Sequence, residues 1–251
     1  MDHHSARFEE KSFCENDPIL IPRKFSRKQD IEIAGFFAAI LSWGLRKTII
    51  AKCSQLMEWM DNAPYDFILN HTDIDLKRME KFKHRTFQPA DALYFIHFFH
   101  QYYQAHESLE WAFSNQNQEY ESVEEGLNSF RQRFFNSEYA LERTKKHVPS
   151  PLRNSACKRI NMFMRWMVRS EKNGVDFGIW SNYSAAQLYI PLDIHVHRVA
   201  TDLGLLKRKQ PDWKAVKELT ENLKKFDPED PVKYDFALFG LGIERKRNKK
   251  R

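Results

Sequence analysis

Residues 143–170 (RTKKHVPSPLRNSACKRINMFMRWMVRS) hold eight Lys or Arg and not one Asp or Glu. A carboxylate then stands in the later run Ile190-Pro191-Leu192-Asp193-Ile194-His195-Val196-His197-Arg198. A helix crowded with cations can bind phosphate, and it can also favour the neutral, nucleophilic amine of one of its own lysines. Lys158 is the candidate nucleophile and Asp193, 35 residues later, the candidate carboxylate that works with it. Arg153, Arg159 and Arg165 are the neighbours expected to depress the lysine below its ordinary ~10.4.

On a helical wheel Ile160, Phe163, Met164, Met167 and Val168 fill one arc, the spacing of a buried face. Lys158, Arg165 and Arg169 fall within about 40° of one another on the opposite side. This opposite arc is expected to point its cations into solvent or into a cleft. Exposed helices ordinarily interleave Glu with Lys at i, i+4. The missing acids therefore favour phosphate binding over a merely solvated face.

Asp193 follows an apolar approach and opens an amphipathic stretch through Val196, Val199, Ala200 and Leu203. It reads as an N-cap, which is also a fixed carboxylate at a helix start. His195 and His197 point about 200° apart in a helix, so they do not share a metal with Asp193. Asp2-His3-His4 makes a weaker metal case still. No metal and no other cofactor is expected.

The elements that must position these groups read as helices. Gly is scarce, at 8 residues, and clean β alternation is rare. Helical spacing covers roughly 29–43, 47–61, 73–82, 89–104, 106–115, 120–135, 154–170, 184–188, 193–204, 212–225 and 231–240. Ser26 to Gln29 resembles a capping box, Asp212 precedes one helix, and Asp227-Pro228 with Asp230-Pro231 punctuates the start of the last. The fold class is all-α. The stretch 171–192, with Gly174 and Gly178, is a connector carrying a short helix or turn.

With 251 residues, 42% of them hydrophobic and 20 of them Phe, the chain can bury a sizeable core. No run reaches the ~18–20 apolar residues of a membrane span, and the first residues (MDHHSARFEEK) lack the apolar heart of a secretory signal. A cytoplasmic, nucleoid-associated location is expected. Three widely spaced cysteines, Cys14, Cys53 and Cys157, supply no disulfide framework. The net charge of +6 is mostly the last eight residues, ERKRNKKR, which carry +5 and leave +1 for the rest. A general polyanion-binding surface does not follow from that. The informative basic clusters are local, at 143–170 and at Lys207-Arg208-Lys209.

These residues also carry a resemblance. PLDIHVHRVATDLGLL (191–206) resembles the V-D-x-H-V-x-R-V-x-x-R-L-G-L signature of the helix-hairpin-helix DNA glycosylase superfamily, which includes endonuclease III. Ala39-Ile40-Leu41-Ser42-Trp43-Gly44-Leu45-Arg46 is similar to that superfamily's first barrel helix and its turn. Almost the whole chain resembles an uncharacterised bacterial family often grouped with these enzymes, through DPILIPRKFSRKQDIEIA, CKRINMFMRWMVR and FDPEDPVKYDFALFGLG. The Lys-to-Asp interval looks like that of the archaeal oxidised-guanine glycosylases. The chain departs from the superfamily at two places. VPSPLRNSACKR has no glycine where the hairpin usually reads L-P-G-[VI]-G-x-[KR]-T-A, and Ser42-Trp43-Gly44 lacks the glutamine that often probes the DNA.

The resemblance implies a two-lobed helical fold with a DNA cleft. Residues 32–170 would form a helical barrel lobe with a divergent hairpin, 1–31 and 171–243 a second lobe, and 244–251 a basic disordered tail. By position, Lys158 matches the Schiff-base lysine, Asp193 the catalytic aspartate and Arg165 a second basic residue of the same helix. The implied activity is a DNA glycosylase, with or without an abasic-site lyase step, acting as a monomer on damaged double-stranded DNA, with an oxidised purine as one candidate lesion. Arg153, Arg159, Arg165, Arg169, Arg46, Lys207 and Arg208 are the expected DNA-backbone contacts. Trp43, Trp166, Phe177 and Trp180 are the aromatic candidates for a base pocket. Two rivals remain open at this point: a non-catalytic DNA-binding protein that keeps the fold, and an RNA-directed protein.

Overall fold

A computed structural model describes residues 2–9, 14–115, 119, 122–170 and 174–248. All regular structure among them is helical, as the scarcity of glycine and of β alternation predicts. The α-helices are α1 (Asp2–Phe8), α2 (Lys28–Ile40), α3 (Arg46–Trp59), α4 (Pro64–Asn70), α5 (Asp73–Leu76), α6 (Pro89–Tyr103), α7 (Val123–Phe134), α8 (Lys158–Val168), α9 (Ile194–Asp202), α10 (Trp213–Lys224) and α11 (Tyr234–Asn248). Among the described residues no helix is long and apolar enough to cross a membrane.

The chain divides into two compact units. One comprises Cys14–Glu121 and Asn128–Pro149. Its core is a cluster of phenylalanines: Phe36 meets Phe95, Phe99, Phe130 and Phe134 at centroid distances between 5.4 and 5.9 Å. Phe113 stacks on Phe130 at 4.3 Å. Such tilted and edge-on pairs add to the gain from area burial. Fully buried Glu32 is satisfied by Tyr103 Oη at 2.9 Å, Ser108 Oγ at 2.6 Å and the Leu109 amide at 3.0 Å.

The other unit comprises Met1–Phe13, Ser122–Leu127 and Ser150–Arg251. It holds α1, α8, α9, α10 and α11. Gly240 lets α1 approach α11 closely, since a Cβ there would lie 2.4 Å from Phe8 Cδ2. α9 also lies along α11: a Cβ at Gly242 would come within 3.2 Å of His195 Cβ and 3.6 Å of Val199 Cγ2.

The observed division differs from the one expected from sequence. Residues 14–31 join the phenylalanine-rich unit, and 150–170, with the Lys158 helix, join the terminal helices. The reason is electrostatic as well as apolar, because the acids that pair with α8 come from the terminal segments. Helix boundaries differ too. α2 begins at Lys28 behind an Arg27 N-cap without a side-chain bond, so Ser26 does not close the expected box. The 73–82 stretch is a four-residue helix followed by a 3-10 turn at Met79–Lys81, and 106–115 is a 3-10 turn at Leu109–Phe113. α1 and α4 were not expected, being only 7 residues each, too short for a clear apolar period. The basic stretch from residue 244 continues α11 as far as Asn248 instead of leaving it; 249–251, like 120 and 121 of the expected 120–135 helix, lie outside the described residues.

Candidate functional site

α8 begins at Lys158, not at 154. Pro151–Arg153 form a 3-10 turn, then Asn154 and Cys157 take left-handed backbone angles, φ 52° and 49°. Asn tolerates that region better than other non-glycine residues. The turn thus takes two left-handed steps before Lys158 without glycine. The turn is fastened from outside: Asn154 Nδ2 donates to Asp212 Oδ2 at 3.0 Å, and Ser155 pairs with Asp212 in an isolated antiparallel bridge.

Lys158 is the first residue of α8 and half-buried, its Nζ 3.4 Å from Met162 Sδ one turn on. Asp193 is the N-cap of α9, as expected. Its Oδ1 accepts from the His195 and Val196 amides at 2.8 and 2.9 Å. Lys158 and Asp193 therefore open two helices of the same unit. His195 and His197 diverge: His195 Nδ1 lies 3.2 Å from Arg198 Nη2, and His197 Nε2 3.0 Å from the Arg208 carbonyl.

The cationic face of α8 is not solvated. Ile160, Phe163, Met164, Met167 and Val168 are buried as the wheel predicts, but Arg165 and Arg169 are buried too, at 3% and 6% exposure. Arg165 Nε donates to Asp176 Oδ1 at 3.3 Å, and its Nη1 to Asp235 Oδ2. Arg169 Nε binds both oxygens of Asp230 at 3.0 and 2.8 Å; its Nη1 binds Asp176 Oδ2 at 3.1 Å and Glu9 Oε1. Both guanidinium groups also lie against the Phe236 ring, at 4.4 and 5.6 Å. Arg165 and Arg169 are thus withdrawn from the set of DNA contacts: their donors are spent on carboxylates inside the unit, where a phosphate has no access. The acids missing from 143–170 are supplied by positions 9, 176, 230 and 235.

These pairs set the local titration. Burial works against the Arg169 cation, yet Glu9, Asp176 and Asp230 outweigh it and hold its pKa above that of ordinary arginine. Burial raises Asp176 and Asp230, with the two arginines and Arg169 respectively pulling back. Asp235, the second residue of α11, is pushed up to about 6 by burial; Arg165 and Lys158 pull it down, and Asp193 and Asp176 push it up. The charges of Lys158 and Asp193 thus both bear on one buried carboxyl. Asp235 was missed in the sequence because FDPEDPVKYD reads as helix punctuation. The usable signal was the acid-free stretch itself, since a buried cation obliges an acid from elsewhere.

The remaining expected contacts sort by exposure. Arg153 is exposed. Arg159 is half-buried, and burial pushes its guanidinium down to about 10. Lys207 is exposed and lines an open recess with Arg208, Lys209, Gln210, Lys214 and Glu218. Arg208 is partly occupied, its Nε donating to Asp212 Oδ1 at 2.6 Å. Arg46 belongs to the other unit and pairs with Asp17 at 3.7 Å.

Of the aromatic candidates, Trp166 is fully buried, and Trp180, at 2% exposure, packs edge-on against Phe163 at 5.3 Å. Neither offers a face to a flipped base; both are core. The connector reaches them for a local reason: the Phe177 amide donates to the Trp166 carbonyl at 2.8 Å and the Trp180 amide to the Met167 carbonyl at 2.9 Å, satisfying the end of α8. Phe177 keeps partial exposure. Trp43 is half-buried in the other unit, edge-on to His84 at 4.8 Å.

A chain helical throughout its described regular structure, whose basic helix has Arg165 and Arg169 bound by buried carboxylates, is the class this geometry defines. Over residues 17–244 the chain matches the protein family of unknown function DUF2400, and it belongs to that family. No curated protein and no solved structure matches it.

Proposed function

We propose that the protein is a DNA base-excision glycosylase with an associated abasic-site lyase step, acting through Lys158 and Asp193. The observation that carries this reading is that a lysine and an aspartate 35 residues apart open two helices of one unit and both bear electrostatically on the same buried carboxyl, Asp235. Their resemblance by position to the helix-hairpin-helix glycosylase lysine and aspartate supports it.

In this mechanism a damaged nucleotide leaves the duplex stack, at a cost of a few kcal/mol. The neutral amine of Lys158 attacks the sugar C1′, the base departs with the electrons of the glycosidic bond, and the Asp193 carboxylate stabilises the positive charge that develops on the sugar. The resulting imine permits β-elimination of the 3′ phosphate. Arg153, Lys207 and Lys209, exposed at or beside the turn before α8, hold the backbone. The scheme uses one chain and no metal.

Borohydride trapping tests it. Wild type should form a covalent adduct with duplex carrying an oxidised guanine or an abasic site, and Lys158→Gln and Asp193→Asn should each abolish that adduct while keeping the native circular dichroism. Absence of any adduct across a broad lesion panel overturns the lysine chemistry. Base release without trapping would leave Asp193 with an activated water. Salt-sensitive binding with neither outcome would make the protein a non-catalytic nucleic-acid binder.

A further inference from the structure

Lys207, Arg208, Lys209 and Lys214 stand around one open recess, lined also by Gln210 and Glu218, and the lining holds no aromatic ring. Arg208 is spent on Asp212, to which it donates from Nε at 2.6 Å and from Nη2. Glu218 is turned to the backbone, its Oε1 accepting from the Lys207 amide at 2.7 Å. Lys207, Lys209 and Lys214 are exposed, and among the described residues no carboxylate pairs with them. The lysines further along α10 and at its end are matched. Lys217 reaches Glu124 Oε2 at 3.2 Å, Lys224 reaches Glu221 Oε1 at 3.0 Å and Lys225 reaches Asn222 Oδ1 at 2.8 Å. Lys214 also sits in the first turn of α10, where the helix dipole disfavours a cation and favours an anion beside it.

The loop that carries Lys207 and Lys209 is held by its neighbours. From α9, His197 Nε2 lies 3.0 Å from the Arg208 carbonyl. From α10, Asn222 Nδ2 donates to the Leu205 carbonyl at 2.9 Å, and Asp212, the N-cap, accepts from the Ala215 amide at 3.1 Å. From the turn before α8, Asn154 Nδ2 donates to Asp212 Oδ2 at 3.0 Å, and Ser155 bridges to Asp212 through the backbone. Buried Asp212 thus joins the basic loop, α10 and the turn that leads into Lys158.

We propose that Lys207, Lys209 and Lys214 seat backbone phosphates of DNA, and that Asp212 is the positioning residue that fixes this seat against the turn before Lys158. The choice of DNA as partner rests on the function proposed above; the seat rests on the recess. Three unmatched ammonium groups around one recess repel one another, and a multiply charged anion between them relieves that repulsion. A lining without an aromatic ring gives a base no face to stack on, so the contact is to phosphate and reads no sequence. Asn154 stands four residues before Lys158, so a phosphate held here sets the register of the duplex relative to the amine. Asp212 acts by holding Arg208 and the loop, because a carboxylate turned toward the anion would repel it.

The experiment is duplex binding by the full chain over a series of salt concentrations, with native circular dichroism required of every variant. Lys207→Gln, Lys209→Gln and Lys214→Gln combined should lower the salt slope by roughly three counterions. The charge-matched triple Lys217→Gln, Lys224→Gln and Lys225→Gln should lower it by less than about one; equal losses in the two triples mean diffuse charge and overturn the seat. Asp212→Asn keeps a capping side chain for α10 and removes a negative charge, so electrostatics alone predicts tighter binding. A positioning role predicts binding weaker by about tenfold at an unchanged slope, and unchanged or tighter binding overturns that role. Asn154→Gly keeps the left-handed turn and alters no charge. It should weaken binding in the same way, and it decides the matter where Asp212→Asn does not fold. Inorganic triphosphate is the competing probe. Triphosphate bound as tightly as duplex, and lost in the recess triple, makes the seat one for a free polyphosphate and overturns the assignment to DNA. A slope lowered in the recess triple, beside a wild type that traps no adduct, sinks the proposed function and leaves the seat. Trapping by wild type with an undiminished slope in that triple sinks the seat and leaves the function.

Discussion

The two ends of α8 carry the same kind of side chain in opposite circumstances. At its start Lys158 is half-buried with its amine against Met162 Sδ. Two and three turns later Arg165 and Arg169 are buried and bound by Glu9, Asp176, Asp230 and Asp235. The C-terminal arginines hold the terminal segments of the chain together around Phe236. The N-terminal lysine makes no such contact among the described residues. A cation-rich helix is therefore not one uniform surface: its C-terminal half is a structural clamp, and the clamp fixes where the N-terminal half sits.

The sharpest way to break this contrast is to remove a clamp residue. Arg165→Met should destabilise the fold by about 3–5 kcal/mol, because buried Asp235 loses its arginine partner while Asp176 keeps only Arg169. Denaturant unfolding would show it, and a loss no larger than that of Lys158→Met would erase the distinction between the two ends. Next is the pH dependence of stability. A carboxyl whose folded pKa is raised binds its proton more tightly in the folded state. Its stabilising contribution is then present at low pH and lost as pH rises from 3.8 through about 6. For Asp235 that rise is worth about 3 kcal/mol. Asp235→Asn should flatten the fall in stability between pH 4 and 6, and a slope unchanged by the substitution would remove Asp235 as its source.

Smaller effects sharpen the functional half. Asp193→Ala loses two cap bonds and should cost about 0.5–2 kcal/mol, whereas Asp193→Asn keeps a cap and should cost less while still abolishing trapping. Equal losses of trapping and of stability in both variants would make Asp193 a cap and nothing more. Lys207→Glu and Lys209→Glu, both at exposed positions, should change stability by less than about 0.5 kcal/mol. Each should lower the salt slope of duplex binding by about one counterion; an unaltered slope would remove this recess from the DNA contacts.

Much of this was legible in the sequence for local reasons. The all-α class, the amphipathic spans of α3, α6, α10 and the apolar arc of α8 follow from period alone. Asp193 and Asp212 are N-caps where their positions say they should be, because a cap is made with amides only two or three residues away. The Lys158 start was misread at 154 because a left-handed Asn154 and Cys157 break the helix without any glycine to announce it.

Sequence by itself determined which segments coil, which stripe of each faces a core, and that Asp193 and Asp212 cap helices. Tertiary structure decided the fate of each charge. Arg165 and Arg169 looked exposed because no acid lies in 143–170, yet their partners arrive from as far as Glu9, 160 residues before Arg169. Local periodicity records burial of apolar groups along one helix. It carries no record of which distant carboxylate will enter that burial, because the cost of an unpaired buried charge is met only when the chain is folded.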